Sequence, residues 1–557
     1  MFRKLKSLIN NQGFITGAAI LAAAGVICRL IGIMFRIPLA NIVGNFGMGL
    51  YQMVFPLYAL LLVVSSAGIP IAISKMIAKN AGVGVTPTSD EASNEQKHDK
   101  RPSEGVKAPT PECRRILFNA IVLLGFIGLV ISALFFIFAN QIASLQGNGG
   151  VGKIYYAIAP SVFLVCILAA FRGYFQGLGN MVPTATTQIV EQILKVTAGL
   201  ILAISLAPIG IEWAVFGAIL AVTISEIGAL VLVIFIYLFH RRKLGKKNLD
   251  TNRDKEMAEE GVKSLLDFKL IWLILKKSAP ITAMAAIFPL ILVFDSMVVI
   301  NMLEAGGASN RVATQLFGIS SGTVHTLINT PAVLGAAIGT AVVPMVARLN
   351  KQGNKEEMKN KCILAIKLSF ITSMFFVIFY LVFSREIIVL LYEKAFEGNA
   401  GQLRTATILL KIESIMILLM GLSIVFTAML QGLDKAKYPL IALAIGGAVK
   451  IAFQLGTIMT PLGIYAVSIG NVLCFAIAFA LNVFFVFKFI NIRGRLTSEV
   501  WRPLVLAALN TGIILGLFFL MPSGKWWIIL NGVIAMAAYL GLIWVLGIFR
   551  RSKSLST

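Results

Sequence analysis

The sequence contains fourteen apolar stretches that are each long enough to cross a lipid bilayer. A membrane-spanning helix needs about 20 predominantly apolar residues. Only 13% of the 557 residues are charged, against about 25% in soluble domains. This pattern predicts an all-α polytopic membrane protein, because helices satisfy their own backbone polar groups in lipid. The predicted spans are 14–35, 50–74, 116–139, 154–172, 186–206, 213–239, 278–303, 316–345, 362–384, 405–430, 439–458, 463–487, 503–521 and 526–549.

Lysines and arginines are distributed unequally between the two sides of the predicted bundle. With the N terminus inside, 37 of the 49 basic residues fall in cytoplasmic segments, seven in external segments and five within spans. Because basic residues accumulate in cytoplasmic loops, this count predicts a cytoplasmic-membrane protein with both termini inside. The formal net charge of +24 is therefore interpreted as a topology signal, and no nucleic-acid partner is expected.

An internal repeat relates the two parts of the chain. The sequence Gln-Gly-Leu occurs at 176–178 and again at 431–433, and each copy is followed by a proline and then by Lys195 or Lys450. A Pro-X-Gly-Ile sequence repeats at a similar spacing, at 208–211 and 461–464. Six helices in each copy give both halves the same orientation in the membrane, an arrangement found in transporters with a central binding site.

The repeat predicts the domain organisation. An N-lobe of six helices covers 1–239 and carries a polar cytoplasmic insert at 82–112, while a C-lobe of six helices covers 278–488. A basic linker at 240–277 joins the lobes. The last two helices and a cytoplasmic tail occupy 489–557, outside the repeat.

The sequence offers little to support an enzyme. Its five cysteines show no Cys-X-X-Cys spacing and its three histidines are scattered, so no metal, disulfide framework or cofactor is predicted. The segment 147–153 has the spacing of a nucleotide-binding Walker A motif, but Ile154 replaces the required Ser or Thr. The longest external segment, near 385–404, resembles an interfacial helix. We therefore expect a transporter rather than an enzyme.

Charged residues within the predicted spans identify the candidate site, because each costs about 2.5–3.5 kcal/mol at the bilayer centre. Arg29 and Arg36 lie on one face of the first helix together with Gly25 and Gly32. Guanidinium groups are forked donors that suit a phosphate or pyrophosphate. Arg36 has an alternative role, which is to extend to the outer membrane interface, whereas Arg29 lies too deep to do so.

Two lysines occupy equivalent positions in the repeat. Lys195 and Lys450 both lie near mid-depth in their helices, where a substrate site between two lobes is expected. Glu191 precedes Lys195 by one helical turn and is a candidate ion-pair partner. The two residues either neutralise each other or take part in the site.

Three further residues complete the predicted site. Asp295 lies near the depth of Arg29, and a contact between the two is predicted to close an outer gate. His325 is a candidate substrate-binding residue on the eighth helix, and Glu226 is a candidate gating or ion-pair residue. Interhelical pairing is also expected for two other charged residues within spans: Lys411 and Glu413.

Two stretches carry a family resemblance. Residues 65–79 (SSAGIPIAISKMIAK) and 172–195 (RGYFQGLGNMVPTATTQIVEQILK) resemble the stage V sporulation protein B branch of the polysaccharide-biosynthesis transporters. These belong to the multidrug/oligosaccharidyl-lipid/polysaccharide exporter superfamily. The resemblance covers nearly the whole chain. It implies a flippase that moves an undecaprenyl-pyrophosphate-linked cell-wall precursor by alternating access, with membrane lipids around it and cell-wall synthesis proteins as candidate partners.

The related lipid II flippases share the sequences at 28–32 (CRLIG) and 331–335 (PAVLG). This resemblance implies that Arg29 and Arg36 line a cavity for the pyrophosphate. That group carries Asp-Arg shortly before the eighth-helix proline, where this chain has His325 and Thr326, and Lys450 is a candidate to compensate. The resemblance also implies that the last two helices form a groove for the polyprenyl tail.

Two other functions remain open at the level of sequence. A multidrug antiporter of the same superfamily would export organic cations against H⁺ or Na⁺ through Glu191, Glu226 or Asp295. A membrane scaffold in an envelope-synthesis complex would depend on none of the intramembrane charges.

Overall fold

The computed structural model describes residues 14–66, 68–80, 111–247, 267–520 and 524–546. Within these ranges the chain is almost entirely helical and contains no β-strand. The all-α fold class is confirmed. The N-terminal arm, nearly all of the polar insert at 82–112, the middle of the linker at 240–277 and the C-terminal tail lie outside the described residues.

The first half of the chain contributes seven α-helices in the described ranges. They are α1 Phe14–Ser66, α2 Ile69–Asn80, α3 Pro111–Ile137, α4 Ala139–Leu145, α5 Gly152–Gly177, α6 Val182–Leu206 and α7 Ile211–Lys247. Helix α1 comprises two spans, because Gly44 breaks it with φ 66° and ψ −177°, a conformation that glycine adopts without a steric penalty. The segment 147–153 joins α4 to α5 through a short 3₁₀ turn, so it lacks the preceding strand of a Walker motif.

The second half contributes ten α-helices and a π-helical segment in the described ranges. They are α8 Phe268–Ala305, α9 Asn310–Phe317, the π-helix Gly318–Val324, α10 His325–Lys351, α11 Lys355–Val382, α12 Ser384–Phe396, α13 Ala400–Gly432, α14 Lys437–Thr457, α15 Tyr465–Ile490, α16 Arg493–Leu520 and α17 Lys525–Val545.

The helices agree with the predicted membrane spans. Thirteen candidate spans lie in the described part of the chain, and the first of them, Ala23–Ala78, contains the break at Gly44. Fourteen crossings therefore fit the described helices when the two arms of α1 are counted separately. Helix α12 has 13 residues and is too short to cross a bilayer.

Close packing between small residues holds several helix pairs together. A Cβ added to Gly335 on α10 would lie 3.1 Å from the Cα of Gly421 on α13, so the two backbones nearly touch. A Cβ on Gly446 of α14 would overlap the Cys474 carbonyl oxygen on α15. Such contacts are expected in a membrane, where lipid removes the hydrophobic drive for association and dispersion contacts dominate.

The two halves contact each other at the predicted external end. Asn45, next to the break in α1, donates from Nδ2 to the Ala395 carbonyl (3.0 Å) and to Gln402 Oε1 (2.8 Å). Gln146 donates from Nε2 to Ser296 Oγ at 3.1 Å, and both residues are buried. These hydrogen bonds close this end of the bundle.

The halves also contact each other at the opposite end. Arg115 Nη2 lies 3.2 Å from Asp267 Oδ2, and the Asp267 amide donates to Asn119 Oδ1 at 2.8 Å. A Cβ on Gly68 would overlap the Ser278 carbonyl oxygen on α8. The interior between the halves is therefore bounded at both ends.

Candidate functional site

A cavity of about 520 Å³ lies between the two halves. Its wall is formed by α1, α6, α8, α10 and α13, and three of the predicted site residues line it: Arg29, Arg36 and Lys195. These three cations are the charged residues of the lining within the described part of the chain, and no carboxylate is among them. The cavity is therefore suited to an anion.

Helix geometry places the two arginines on the same side of α1. Seven residues make nearly two helical turns, so Arg29 and Arg36 both face the cavity, and Arg29 is exposed there. Arg36 Nη1 lies 3.4 Å from Thr326 Oγ1, and its guanidinium carbon lies 5.6 Å from the centre of the Phe55 ring. A cation within about 6 Å of a ring centre is attracted to the ring, so Phe55 helps to hold this guanidinium at the cavity wall.

Lys195 reaches the cavity as part of a charged cluster. Its Nζ lies 3.4 Å from Glu191 Oε1, and Arg172 Nη2 lies 2.9 Å from Glu191 Oε2. The ion pair expected from the i, i+4 spacing is present, and a second cation shares the same carboxylate. Arg172 is not among the predicted site residues, because it is the last residue of an apolar run and hydropathy groups it with the cytoplasmic loop. Helix α5 continues to Gly177.

Glu226 joins this cluster from α7. It is 2% exposed, and its carboxyl group lies beside that of Glu191 and near Tyr58. Its Oε2 has no hydrogen-bond partner among the described residues. Glu226 therefore does not form the predicted ion pair in this conformation. Arg172 and Lys195 both contact Glu191, and neither forms a salt bridge with Glu226.

Lys450 and Asp295 lie outside the cavity and pair with each other. Lys450 Nζ is 2.6 Å from Asp295 Oδ2, and their side chains are 2% and 8% exposed. The expected contact between Asp295 and Arg29 is thus replaced by one with Lys450, and Lys450 does not line the cavity as a substrate ligand. The physical reason is that α14 packs against α8, and a buried charge without a partner costs several kcal/mol.

His325 and Asp295 line a second, smaller cavity of about 230 Å³, together with Arg36. Arg36 borders both cavities. Asn471 also lines the smaller one, and its Nδ2 donates to Glu413 Oε1 at 3.1 Å. Glu413 also accepts a 2.7 Å hydrogen bond from Ser468, so neutral donors on α15 hold this buried carboxylate.

Neutral polar residues of the main cavity were missing from the predicted site. Thr326, Asn329 and Gln192 line the cavity beside the cations. Spacing could have identified two of them, because Asn329 lies one helical turn after His325 and Gln192 lies three residues before Lys195. Each therefore shares a helix face with a predicted site residue. Charges within a span stand out in a sequence because they carry the largest burial cost, and neutral polar residues do not. In the described residues no group of His, Cys, Asp or Glu has the arrangement of a metal site.

Two family models match this chain. The family model described as "Polysaccharide biosynthesis protein" matches residues 14–350, which is more than half of the chain. The chain belongs to the polysaccharide biosynthesis protein family. A second family model, MatE, matches residues 280–455. This family member is therefore a multi-pass membrane protein of the predicted superfamily.

Individual relatives agree with this assignment. The chain is 27% identical over 452 residues to stage V sporulation protein B of Bacillus subtilis (strain 168), covering 80% of this chain and 78% of that protein. It is 24% identical over 458 residues to the lipid II flippase MurJ of the same organism, covering 80% and 77%. A solved structure of a lipid II flippase MurJ in an inward closed conformation superposes with a TM-score of 0.68 at 14% identity, covering 96% of this chain and 100% of that one. That likeness shows the fold.

Proposed function

We propose that this family member is a flippase for an undecaprenyl-pyrophosphate-linked cell-wall precursor, either lipid II or a related lipid-linked oligosaccharide. The observation that carries the proposal is the cavity between the halves, whose charged lining consists of Arg29, Arg36 and Lys195 in the described residues. Family membership and the two curated relatives support it. The protein would act in the cytoplasmic membrane with both termini inside.

The cavity chemistry suits a pyrophosphate. Two guanidiniums on one helix face offer forked N–H donors that match phosphate oxygens. Among the described residues, Arg36 donates a long hydrogen bond of 3.4 Å to Thr326, which a ligand can replace. Lys195 adds a third donor at the edge, held in place by Glu191. These groups replace the water that the pyrophosphate loses when it enters the protein.

The polyprenyl tail needs an apolar path beside the head-group site. An apolar groove of about 580 Å³ lies between α11, α12 and α17, lined by phenylalanines of α11 and by Ile528 and Val533 of α17. The resemblance implied a groove made by the last two helices, and here α17 forms one with α11 and α12. We assign the tail to this groove while the head group crosses between the halves.

Alternating access requires the contacts at the two ends to open in turn. The hydrogen bonds of Asn45 would break when the external end opens, and the Arg115–Asp267 pair when the opposite end opens. The latter pair is 43% and 28% exposed, and exposed ion pairs contribute only about 0–1 kcal/mol. Breaking this ion pair therefore costs little.

Native mass spectrometry tests this function directly. The purified protein is offered lipid II, a second undecaprenyl-pyrophosphate sugar, phosphatidylglycerol and a cationic drug. We expect selective retention of the pyrophosphate lipids. Arg29→Ala should weaken it roughly ten- to a hundredfold, since a charge-assisted hydrogen bond contributes about 1.5–3 kcal/mol.

The matched control is Arg385→Ala, which removes an exposed arginine of α12 outside the cavity. This variant should bind like the wild type. Arg29→Lys keeps the positive charge but loses the forked N–H donors. Its retention of pyrophosphate lipids should lie between that of Arg29→Ala and that of the wild type. Equal retention of phosphatidylglycerol and pyrophosphate lipids by the wild type would contradict the proposal.

A multidrug antiporter is the second candidate, because the MatE model matches residues 280–455 and Glu226 is a buried carboxyl outside the salt bridges of its cluster. An antiporter would bind organic cations, and Glu226→Gln would abolish their retention. A pyrophosphate flippase should keep its lipid binding in Glu226→Gln. The same mass-spectrometry series separates the two functions.

A further inference from the structure

A further large cavity lies in the C-terminal half, and none of the roles assigned above involves it. It measures about 580 Å³ and is bounded by α10, α13, α14 and α15. We call this cavity the C-terminal recess and define its polar wall by five residues: Thr340, Ser423, Thr427, Gln431 and Asn482. Its volume lies within the range of about 300–1,000 Å³ that is usual for ligand pockets.

The chemistry of the recess differs from that of the cation-lined cavity. Its lining in the described residues contains hydroxyl and amide side chains but no charged residue. Hydroxyls and amides act as both donors and acceptors, which matches a polyhydroxylated ligand. Phe475 adds an aromatic face, on which the apolar C–H face of a sugar ring can pack.

Two polar atoms in the wall lack partners. Ser423 is 7% exposed and Asn482 is 2% exposed, yet Ser423 Oγ and Asn482 Oδ1 have no hydrogen-bond partner among the described residues. The Asn482 amide nitrogen is directed to Thr427 Oγ1 at 3.4 Å. An unpaired buried polar atom costs about 1–3 kcal/mol, so an occupant whose hydroxyl groups reached these two atoms would gain stability.

The recess adjoins the cation-lined cavity. Met420 and Ile424 on α13 line both, so these two side chains are all that a ligand bound at Arg29 and Arg36 has to pass to reach the recess. A head group with an anionic part followed by an uncharged polar part would fill the two spaces in sequence.

We propose that the C-terminal recess binds the saccharide of the lipid-linked substrate, while the arginine-lined cavity holds its pyrophosphate. This inference rests on the proposed flippase function and deepens it. Because no cation lines the recess, the sugars next to the pyrophosphate are uncharged. Carboxylate-bearing sugars would enter with a desolvation cost and no compensating partner.

Binding measurements with matched lipids test the recess. Detergent-solubilised protein is titrated with undecaprenyl pyrophosphate and with the same lipid carrying a neutral disaccharide. The wild type should bind the glycosylated lipid at least about tenfold more tightly, since each hydrogen bond to a buried neutral group is worth about 0.5–1.5 kcal/mol and several form. Asn482→Leu and Ser423→Ala should each reduce this preference severalfold.

Both variants should retain the affinity of the wild type for sugar-free undecaprenyl pyrophosphate, which also shows that they are folded. Asn510→Leu is the matched control, because Asn510 is fully buried with an unpartnered amide on α16, away from the recess. It should keep the preference for the glycosylated lipid.

The outcomes separate the two proposals. If the wild type binds both pyrophosphate lipids equally, or if Asn482→Leu weakens both to the same extent, the saccharide site is wrong while the flippase proposal stands. If neither lipid binds more tightly than phosphatidylglycerol, the flippase proposal fails and the recess loses its ligand.

Discussion

Two lysines at equivalent repeat positions have different environments. Lys195 faces the cavity and pairs with Glu191 on its own helix at 3.4 Å. Lys450 is buried against Asp295, 155 residues away in sequence, at 2.6 Å. The first half thus contributes a lysine to the cavity, whereas the equivalent lysine of the second half forms a buried ion pair outside it. The charged lining of the cavity is therefore asymmetric.

The Lys450–Asp295 pair gives a prediction for stability. Lys450→Met should destabilise the protein by about 3–5 kcal/mol, because it leaves a buried carboxylate without a partner. The double variant Lys450→Met/Asp295→Asn should recover most of that loss. Thermal unfolding in detergent measures both.

A surface pair provides the control for this experiment. Lys359 and Glu356 lie 3.3 Å apart with side chains 24% and 63% exposed. Lys359→Met should change stability by no more than about 1 kcal/mol. A melting temperature of Lys450→Met equal to that of the wild type would show that the pair carries no folding energy.

The charged site residues could be found from sequence, but their partners could not. Charges in apolar runs stand out because burial is costly, and this located Arg29, Arg36 and Lys195. The partner of Asp295 depends on how α8 and α14 pack, which no local spacing encodes. Arg172 was missed because hydropathy ended its span before the helix itself ends.

At the scale of elements, the second arm of α1 packs closely against α9 and the π-helix of the other half. A Cβ on Gly318 would overlap the Asn45 carbonyl oxygen and approach the Gly49 nitrogen, and a Cβ on Gly49 would overlap the Thr314 carbonyl oxygen. Backbone therefore lies directly against backbone at this end. Small side chains are a requirement here.

Gly318→Ala tests this contact. The added methyl group must displace backbone, and overpacking of this kind costs about 1–3 kcal/mol. We expect a lower melting temperature and an external end that no longer closes, read out as faster modification of a cysteine placed at Ser296.

Gly512→Ala is the control, since a Cβ at this helical position meets nothing within 4 Å. Alanine in place of a helical glycine should stabilise the protein by about 0.5–1 kcal/mol. If Gly318→Ala behaved like Gly512→Ala, the close contact would not hold the end shut.

The elements themselves were largely predictable. Each predicted span overlaps a described helix because the bilayer fixes the length of an apolar run, although the first two spans share α1 and the second runs on into α2. Their ends were less accurate. Helix α7 continues to Lys247 beyond the predicted 239, because a helix can extend into water with charged residues that hydropathy excludes. The π-helix in the eighth span leaves no mark in hydropathy at all.

At the scale of the whole molecule, the distribution of basic residues predicts the orientation. Gln352 and Asn399 are exposed in connections on opposite sides of the predicted membrane. In a variant whose five native cysteines are replaced, Asn399→Cys should react with an impermeant maleimide in intact cells. Gln352→Cys should react only after permeabilisation, and the reverse pattern would invert the topology.

The arginine-lined cavity has an electrical consequence for the transport cycle. Lys195 and Arg172 share the carboxylate of Glu191, but Arg29 and Arg36 have no acidic neighbour in the cavity lining of the described residues. A bound pyrophosphate with two negative charges would cancel the charges of these two arginines, so their movement in the loaded protein would carry no net charge. The empty protein would carry two positive charges back toward the negative cytoplasm, gaining about 2.3 kcal/mol per charge per 100 mV. The membrane voltage would then drive the reset of the empty carrier rather than the passage of its substrate.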